Sequence, residues 1–379
     1  MPTQMTPCDL IEYFSDIEDP RVDRQKLHLL PDILFVIFSG VICGVESWSD
    51  FVLYGESKLE FLRKYVPLKN GIPSKNTFQR VITRLKPDAF RHCFLKWVND
   101  YEQELGRTIA IDGKALRRSF DKAANHSTTH MVSAFATEAR LVLAQEKVAE
   151  KSNEITAIPN IIDMLDVKDS IITIDAMGCQ KKIAEKIVGA GGDYVIALKG
   201  NQNTLFQEVS RHFNNPFDMR HCKSVEVSTT KENNRNRLEE RTCLITESIG
   251  ELNIKKQWPT IKSCLMIESK RTVDGQQSVE HRYYISSLSA DAKLHNKIVR
   301  SHWAVENSLH WVMDMVFKED ECRIRSGHGA ENMSLIKHVA LNKLQAVKSK
   351  YSRAVSLKGL RKKAGWDDDT LNTILTMII

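Results

Sequence analysis

The longest nearly unbroken apolar stretch of the chain runs from Ile33 to Val45 and predicts a helix buried on all sides. Ser47 to Tyr65 reads as a second helix. Pro73-Ser74 is a start signal before Phe78, Val81, Ile82 and Leu85, which recur at helical spacing, and Pro87 closes that segment. A further helix begins at Asp88, with Phe90, Phe94 and the Trp97/Val98 pair on one side. Residues 1–105 therefore read as a small all-α domain. Short helices with basic outer faces suit a helix-turn-helix-like DNA reader, and they suit any small helical bundle equally well.

Beyond Gly106 the hydrophobic period changes from helical to strand-like. Ile109-Ala110-Ile111 leads into Asp112-Gly113, Met131 to Thr137 and Leu141 to Val148 form a hairpin pair, Asn153 to Leu165 is amphipathic, and Ile171 to Ile174 leads into Asp175. The order β-β-β-α-β is that of a ribonuclease H-like core. A helix from Gln180 to Val188, the pair Gly191-Gly192 and a strand from Tyr194 to Leu198 continue a layered α/β sheet. From about Leu205 to Arg282 the pattern loosens into short β-type stretches, Ser224 to Thr229, Arg241 to Thr246 and Ser263 to Ser269, separated by polar turns. Tyr283 to Ser287 resumes the strand signal, and Leu294 to Phe317 predicts one long helix with Ile298, Val305, Leu309, Val312 and Val316 on its core face. The fold class expected is α/β: a ribonuclease H-like core (106–204 and 284–345) with a β-rich insertion (205–283), preceded by the small all-α domain (1–105) and followed by a basic helical tail (346–379).

Composition bounds this picture without redrawing it. At 379 residues and 42% hydrophobic content the chain can bury two or three domains. The Ile33–Val45 run is shorter than the ~20 residues that cross a bilayer, and the first residues carry acids rather than a basic-then-apolar leader, so neither a membrane span nor a secretory signal is expected. Eight cysteines include no C-x-x-C pair and none at zinc-ligand spacing from a histidine, which argues against a disulfide scaffold or a zinc module and fits a cytoplasmic protein. The net charge of +6 is small but unevenly placed. Lys337 to Lys363 holds nine Lys/Arg and no acid, and Arg63 to Lys96 holds nine against Asp88 alone. Two basic stretches of this kind are solvated helix faces or contacts for a polyanion.

The acids tip that balance toward nucleic acid. Asp112 and Asp175 each follow a short apolar run, which places each carboxylate at the carboxyl end of a buried strand, where α/β sheets carry ligands. One such aspartate is readily a turn cap. Two on strands that a ribonuclease H topology makes neighbours need a cation between them, and oxygen-only ligands suit Mg²⁺ or Mn²⁺. A third acid should come from a helix facing the same edge, and Glu306, Asp314, Glu319 and Asp320 are the candidates. His302, Glu306 and His310 fall on one stripe beside Val305 and Leu309, but the two histidines lie about 12 Å apart along the axis, too far to chelate one ion with the glutamate. Trp258 reads as a core tryptophan or as a platform for an extruded base.

Ile109-Ala110-Ile111-Asp112-Gly113-Lys114 with Arg117, Glu150-Lys151-Ser152-Asn153-Glu154-Ile155, Thr173-Ile174-Asp175-Ala176-Met177-Gly178, Gly191 to Tyr194 through Leu198 to Gln202, and Arg300 to Asn307 with Leu309-His310-Trp311 together resemble the bacterial insertion-sequence transposases of the H-repeat-associated type, in the DDE group. Ile72-Pro73-Ser74 and Thr77-Phe78 resemble that family's associated amino-terminal domain. The resemblance implies metal-dependent DNA strand cleavage and strand transfer, with two Mg²⁺ (or Mn²⁺) ions on Asp112, Asp175 and Glu306. The related Tyr-Arg-Glu-Lys signature is broken, since His302 stands four before Glu306 and Met313 seven after it. Double-stranded DNA, as element ends and target, is the expected partner, with a homodimer at synapsis, nucleoid association and no membrane. Lys75, Arg80 and Arg84 near a helix start, Lys114, Arg117 and Lys199 near the aspartates, His302, and Lys358, Arg361, Lys362 and Lys363 in the tail are the candidate DNA contacts. A decayed transposase that only binds DNA and a stand-alone two-metal nuclease are the rival functions.

Overall fold

Capping and apolar spacing make the amino-terminal helices. In the computed structural model these are α1 (Asp9–Phe14), α2 (Leu30–Ile42), α3 (Trp48–Ser57), α4 (Leu59–Leu62), α5 (Lys75–Arg84) and α6 (Pro87–Asn99). Every residue of α2 except Pro31 is buried, as its unbroken apolar run requires. Ser47 and Asp50 close a reciprocal capping box at the start of α3, and the Ser74 hydroxyl accepts from the Thr77 N–H at 3.3 Å to start α5. Pro87 occupies the first turn of α6, where its missing N–H costs nothing. The structure describes residues 6–22, 26–100, 108–120, 128–148, 153–215, 225–234, 237–248, 254–352 and 355–377. Glu150, Lys151, Ser152, Ser224 and the boundary expected at 105/106 lie outside them.

One sheet organises the rest. Its strands are β1 (Thr108–Leu116), β2 (Thr129–Ala136), β3 (Leu141–Lys147), β4 (Ile171–Ile174), β5 (Asp193–Leu198), β6 (Val225–Asn234), β7 (Arg237–Thr246), β8 (Ser263–Val273) and β9 (Gln276–Ser286). They run in the order β3-β2-β1-β4-β5-β9-β8-β7-β6. The first five strands have ribonuclease H-like topology: β1 is antiparallel to β2 and parallel to β4, and β4 is parallel to β5. Helices α7 (Glu154–Met164), α8 (Lys181–Gly189) and α9 (Asn203–Asn214) connect or follow them.

Several sequence expectations change here. The insertion does not form a sheet of its own, because β9 pairs antiparallel with β5 and carries the meander β6 to β9 into the same sheet. Its strands run well past the short stretches expected, since their distal halves pair through the backbone while carrying polar side chains on both faces. The expected start of the insertion falls inside α9, whose Leu205, Val209 and Phe213 are buried at helical spacing. The boundaries expected at 283/284 and 345/346 likewise fall inside β9 and inside a later helix.

After β9 come α10 (Ala292–His302), a wide π turn (Val305–His310), α11 (Trp311–Met315), α12 (Gly329–Lys348), α13 (Leu357–Trp366) and α14 (Asp368–Thr376). The single long helix expected from Leu294 to Phe317 is thus interrupted at its middle. Fifteen residues of α12 are buried, and the apolar core around it takes in α2, α5 and α6, the sheet, and Leu360, Ala364, Leu371, Ile374 and Leu375 of the last two helices. The expected tail is therefore built into the core. Asn342 of α12 pairs its amide with both the N–H and the C=O of Val142, satisfying the backbone of edge strand β3. Trp258 is buried, in agreement with a packing role. The described cysteines are all free; Cys222 lies outside the described residues. Among the described residues no helix is long and apolar enough to cross a membrane.

Candidate active site

Parallel pairing of β1 with β4 matches Ile111 to Ile174, so the next residue on each chain, Asp112 and Asp175, are neighbours at the point where β4 ends. Strand β1 does not end there as expected. It continues to Leu116 because β2 offers it partners as far as Thr129. Asp175 opens a tight turn in which its Oδ1 accepts the N–H groups of Met177 at 3.0 Å and Gly178 at 3.2 Å. Gly178 is required by space, since a Cβ there would come within 2.2 Å of Ile174 Cγ2. Asn201 and Gln202 fasten the same turn by donating to Ala176 O at 2.6 Å and Cys179 O at 3.0 Å.

The π turn lies over this pair. His302 Nδ1 is 2.9 Å from the Thr173 hydroxyl on β4, and His310 Nδ1 is 3.6 Å from Asp112 Oδ2. Burial lowers both histidines to about 4, so each is neutral near pH 7. Glu306 lies between them in sequence but is exposed, although its stripe runs beside buried Val305 and Leu309. A stripe counted at ordinary helical spacing does not run straight through an i→i+5 turn. Asp112, Asp175, Lys199, His302 and Glu306 line one cavity of about 380 Å³.

A fourth acid joins them that the sequence pattern leaves without a role. The carboxylate of Glu154, on the first turn of α7, lies against Gly113, where an added Cβ would come 2.0 Å from Glu154 Oε1. Burial pushes the Asp112 carboxyl up to about 7; the Gly113 N–H opposes this, and the charges of Asp175, Glu154 and Glu306 add to it. Glu154 is pushed up by burial and then by Asp175. These acids repel one another more than any described cation relieves them, and all their donors are oxygen. That chemistry fits a hard divalent cation. Among the described residues no three His, Cys, Asp or Glu side chains are already gathered at ligating distance, so Glu306 must approach the aspartates to share an ion with them.

The candidate DNA contacts divide. Lys75, Arg80, Arg84, Arg117, Lys199, Lys358, Lys362 and Lys363 are exposed. Three others are corrected by their surroundings. Lys114 is tied to Asp314 and, at 3.0 Å, to Glu319. Arg361 is buried and donates to the carbonyl oxygens of Val316 and, at 2.7 Å, Val41. His302 is half-buried on the cavity wall, with its Nδ1 on the Thr173 hydroxyl. Charge in a sequence does not tell a surface cation from one that packs inside.

Two family profiles match the chain: the one described as DDE_Tnp_1-associated over residues 11–98, and the Transposase DDE domain over residues 103–343. The chain belongs to the DDE transposase family. It is 40% identical to the H repeat-associated transposase homologue YhhI of Escherichia coli K12 over 374 residues, covering 97% of each chain. It is also 40% identical to YncI of Escherichia coli O157:H7, a protein named as a transposase, over 91% of this chain and 89% of that one. Among solved structures, the piggyBac transposase synaptic complex with hairpin DNA aligns with a TM-score of 0.42 and 10% identity, over 97% of this chain and 76% of that one.

Proposed function

We propose that Asp112, Asp175 and Glu306 hold two divalent ions, Mg²⁺ or Mn²⁺, and that the protein cuts DNA at the ends of an insertion element and transfers the freed strands to target DNA. The observation that carries this reading is the parallel register of β1 and β4, which sets two buried-strand aspartates side by side beneath the helix that bears Glu306. Bound ions supply Lewis-acid stabilisation of the attacking and leaving oxygens in an in-line displacement at phosphorus. The chain's own part is to position. The Asp175 turn is braced by Asn201 and Gln202, His310 stands beside Asp112, and exposed Lys199 on the cavity rim meets a backbone phosphate. Arg117, 3.3 Å from Asp320 and otherwise exposed just past the end of β1, is a further phosphate contact. Glu154, against Gly113, adds its charge to that of Asp175 at Asp112.

Duplex DNA is the partner for the remaining cations. Lys75, Arg80 and Arg84 stand on the exposed side of α5, which can present them to a major groove, and Lys358, Lys362 and Lys363 on α13 meet phosphates. Two copies pair at synapsis, on the nucleoid, with no membrane involved.

The test is nicking of a duplex that carries the element end, found by binding selection from random DNA. Cutting should require Mg²⁺ or Mn²⁺ and be lost in Asp112→Asn, Asp175→Asn and Glu306→Gln, each of which should still fold. If Glu306→Gln cut at near the wild-type rate, Glu306 would not be a ligand and Glu154 would take its place. If no metal restored cutting to the wild-type chain on its selected end, the protein would be a DNA binder only.

A further inference from the structure

A second cavity of about 620 Å³ opens beside the first, and Glu306 lines both. Its walls carry Arg140, Arg237, Arg241, Arg271, Arg282 and Arg300 against three glutamates, Glu232, Glu239 and Glu306. Strand pairing explains the placement. Cys243, Ile267 and Arg282 stand opposite one another across β7, β8 and β9, as do Glu239, Arg271 and Ser278, so all share one face of the meander. Close to the core that face is apolar, with Cys243, Ile245, Leu265 and Ile267 buried together with Ile298 and Val299 of α10. Farther out along the strands it turns to arginine.

The arginines are held in place but not neutralised. Glu239 receives Arg241 at 2.6 Å, Arg237 at 3.2 Å and Arg271 at 3.4 Å, so one carboxylate serves three guanidinium groups. Arg300 pairs with Glu232. Arg282 pairs with Glu280 at 2.8 Å, and its guanidinium stacks 4.6 Å from the centre of the Trp303 ring. A surface network that served stability alone would balance its charges. Pre-oriented planar donors in excess, on the wall of a concavity, match phosphate oxygens.

We propose that this groove seats the sugar-phosphate backbone of one DNA strand next to the phosphodiester held at Asp112 and Asp175. The inference rests on the DNA-cutting reading of that site. Glu306 is the shared wall, so a strand leaving the aspartates passes it and enters the groove. A cavity of about 620 Å³ is too small to hold a duplex and takes a short single-stranded stretch.

The test is fluorescence anisotropy of a random-sequence single-stranded 30-mer across a salt series in EDTA, so that no metal is needed. Arg241→Gln with Arg271→Gln should weaken binding about tenfold and flatten the salt slope by about 1.4, at ~0.7 for each phosphate no longer neutralised. Glu239→Gln should act in the opposite direction, tightening binding, because it removes the negative charge that opposes a phosphate while its amide oxygen can still accept from the arginines. A purely structural array would not give opposite signs. Unchanged affinity and slope in the double variant, or weaker binding by a folded Glu239→Gln chain, overturns the proposal; where the double variant does not fold, Glu239→Gln decides alone. Asp112→Asn separates the two readings: it should fail to cut duplex ends, while the opposite effects of the Arg241/Arg271 and Glu239 changes on oligonucleotide binding persist in its background. Cutting by Asp112→Asn would defeat the reading of the carboxylate site and leave the groove standing.

Discussion

Asp112 keeps its proton up to about pH 7 in the folded, metal-free protein, whereas in the unfolded chain it loses it near pH 4. Between those values the folded state binds the extra proton, so stability falls as pH rises through the window and is lowest above it. Asp112→Asn removes that slope. In urea unfolding with EDTA the variant should match the wild type near pH 4 and exceed it above pH 7, by on the order of 2–4 kcal/mol from three pKa units at 1.36 kcal/mol each. Equal stabilities at pH 8 would show that neither burial nor the neighbouring acids destabilise the Asp112 carboxylate. The two aspartates were legible in the sequence because an acid after an apolar run is a local pattern. Glu154 was not, since what ties it to the site is the missing side chain of Gly113, and that closeness exists only once α7 packs on β2 and β3 beside β1.

Between the elements, Lys114 acts as a rivet. It reaches from β1 to Asp314 and Glu319, and Glu319 in turn accepts from Ser334 of α12 at 2.9 Å, while Gln145 of β3 donates to Ser334 at 2.7 Å. Glu319 is 5% exposed; burial alone would raise it, yet Lys114, Lys337 and His338 hold it below the usual carboxylate range. Lys114→Met takes away the cation in direct contact with that charge, leaving Lys337 at longer range, and should cost about 3–5 kcal/mol at pH 8, less as the pH falls toward protonation of Glu319. Pairing the change with Glu319→Gln should recover most of the loss. A cost under about 1 kcal/mol at pH 8 would mean that the network contributes little. The single helix expected from Ser47 to Tyr65 divides at Lys58 into α3 and α4, and the short α1 carries no periodic signal, whereas periodicity marks α2, α5, α6 and the first five strands well. It fails at α9, where apolar spacing is present but short and flanked by β-type residues, and along β6 to β9, where strands polar on both faces carry no period-2 signal. The π turn leaves no trace in apolar spacing at all.

At the scale of the molecule, the sequence suggests a bundle, a core, an insertion and a tail, whereas the structure joins them through α12. Arg91 of α6 reaches Glu146 of β3 at 2.6 Å and Glu331 of α12 at 2.9 Å. Lys343, with no exposed side-chain surface, binds Asp9 of α1 at 2.6 Å and the carbonyls of Leu375 and Met377 at the end of α14. Such long-range ties cannot be read from segments taken singly. They also decide which cations to change in testing DNA affinity. Lys358→Gln, Lys362→Gln and Lys363→Gln together, leaving buried Arg361 intact, should weaken binding to all duplexes alike and flatten the salt slope by up to about 0.9 for each phosphate released. Changing Lys75, Arg80 and Arg84 should instead lower the ratio of selected to random binding. An unchanged slope in the first variant would take α13 off the DNA, and an unchanged ratio in the second would move recognition away from α5.

The Lys343 tie and the pairing of β5 with β9 also set a timetable. A ribosome adds roughly 5–20 residues per second, and domains ordinarily close as they emerge. Here α2 and α5 wait for α12, β5 waits for β9, and Asp9 waits for a lysine and two carbonyls made near the end of translation. For most of its synthesis the nascent chain should therefore lack the partners of these apolar faces, and a chain ending before α12 should fail to close its core, which limited proteolysis of residues 1–328 beside the full chain would check.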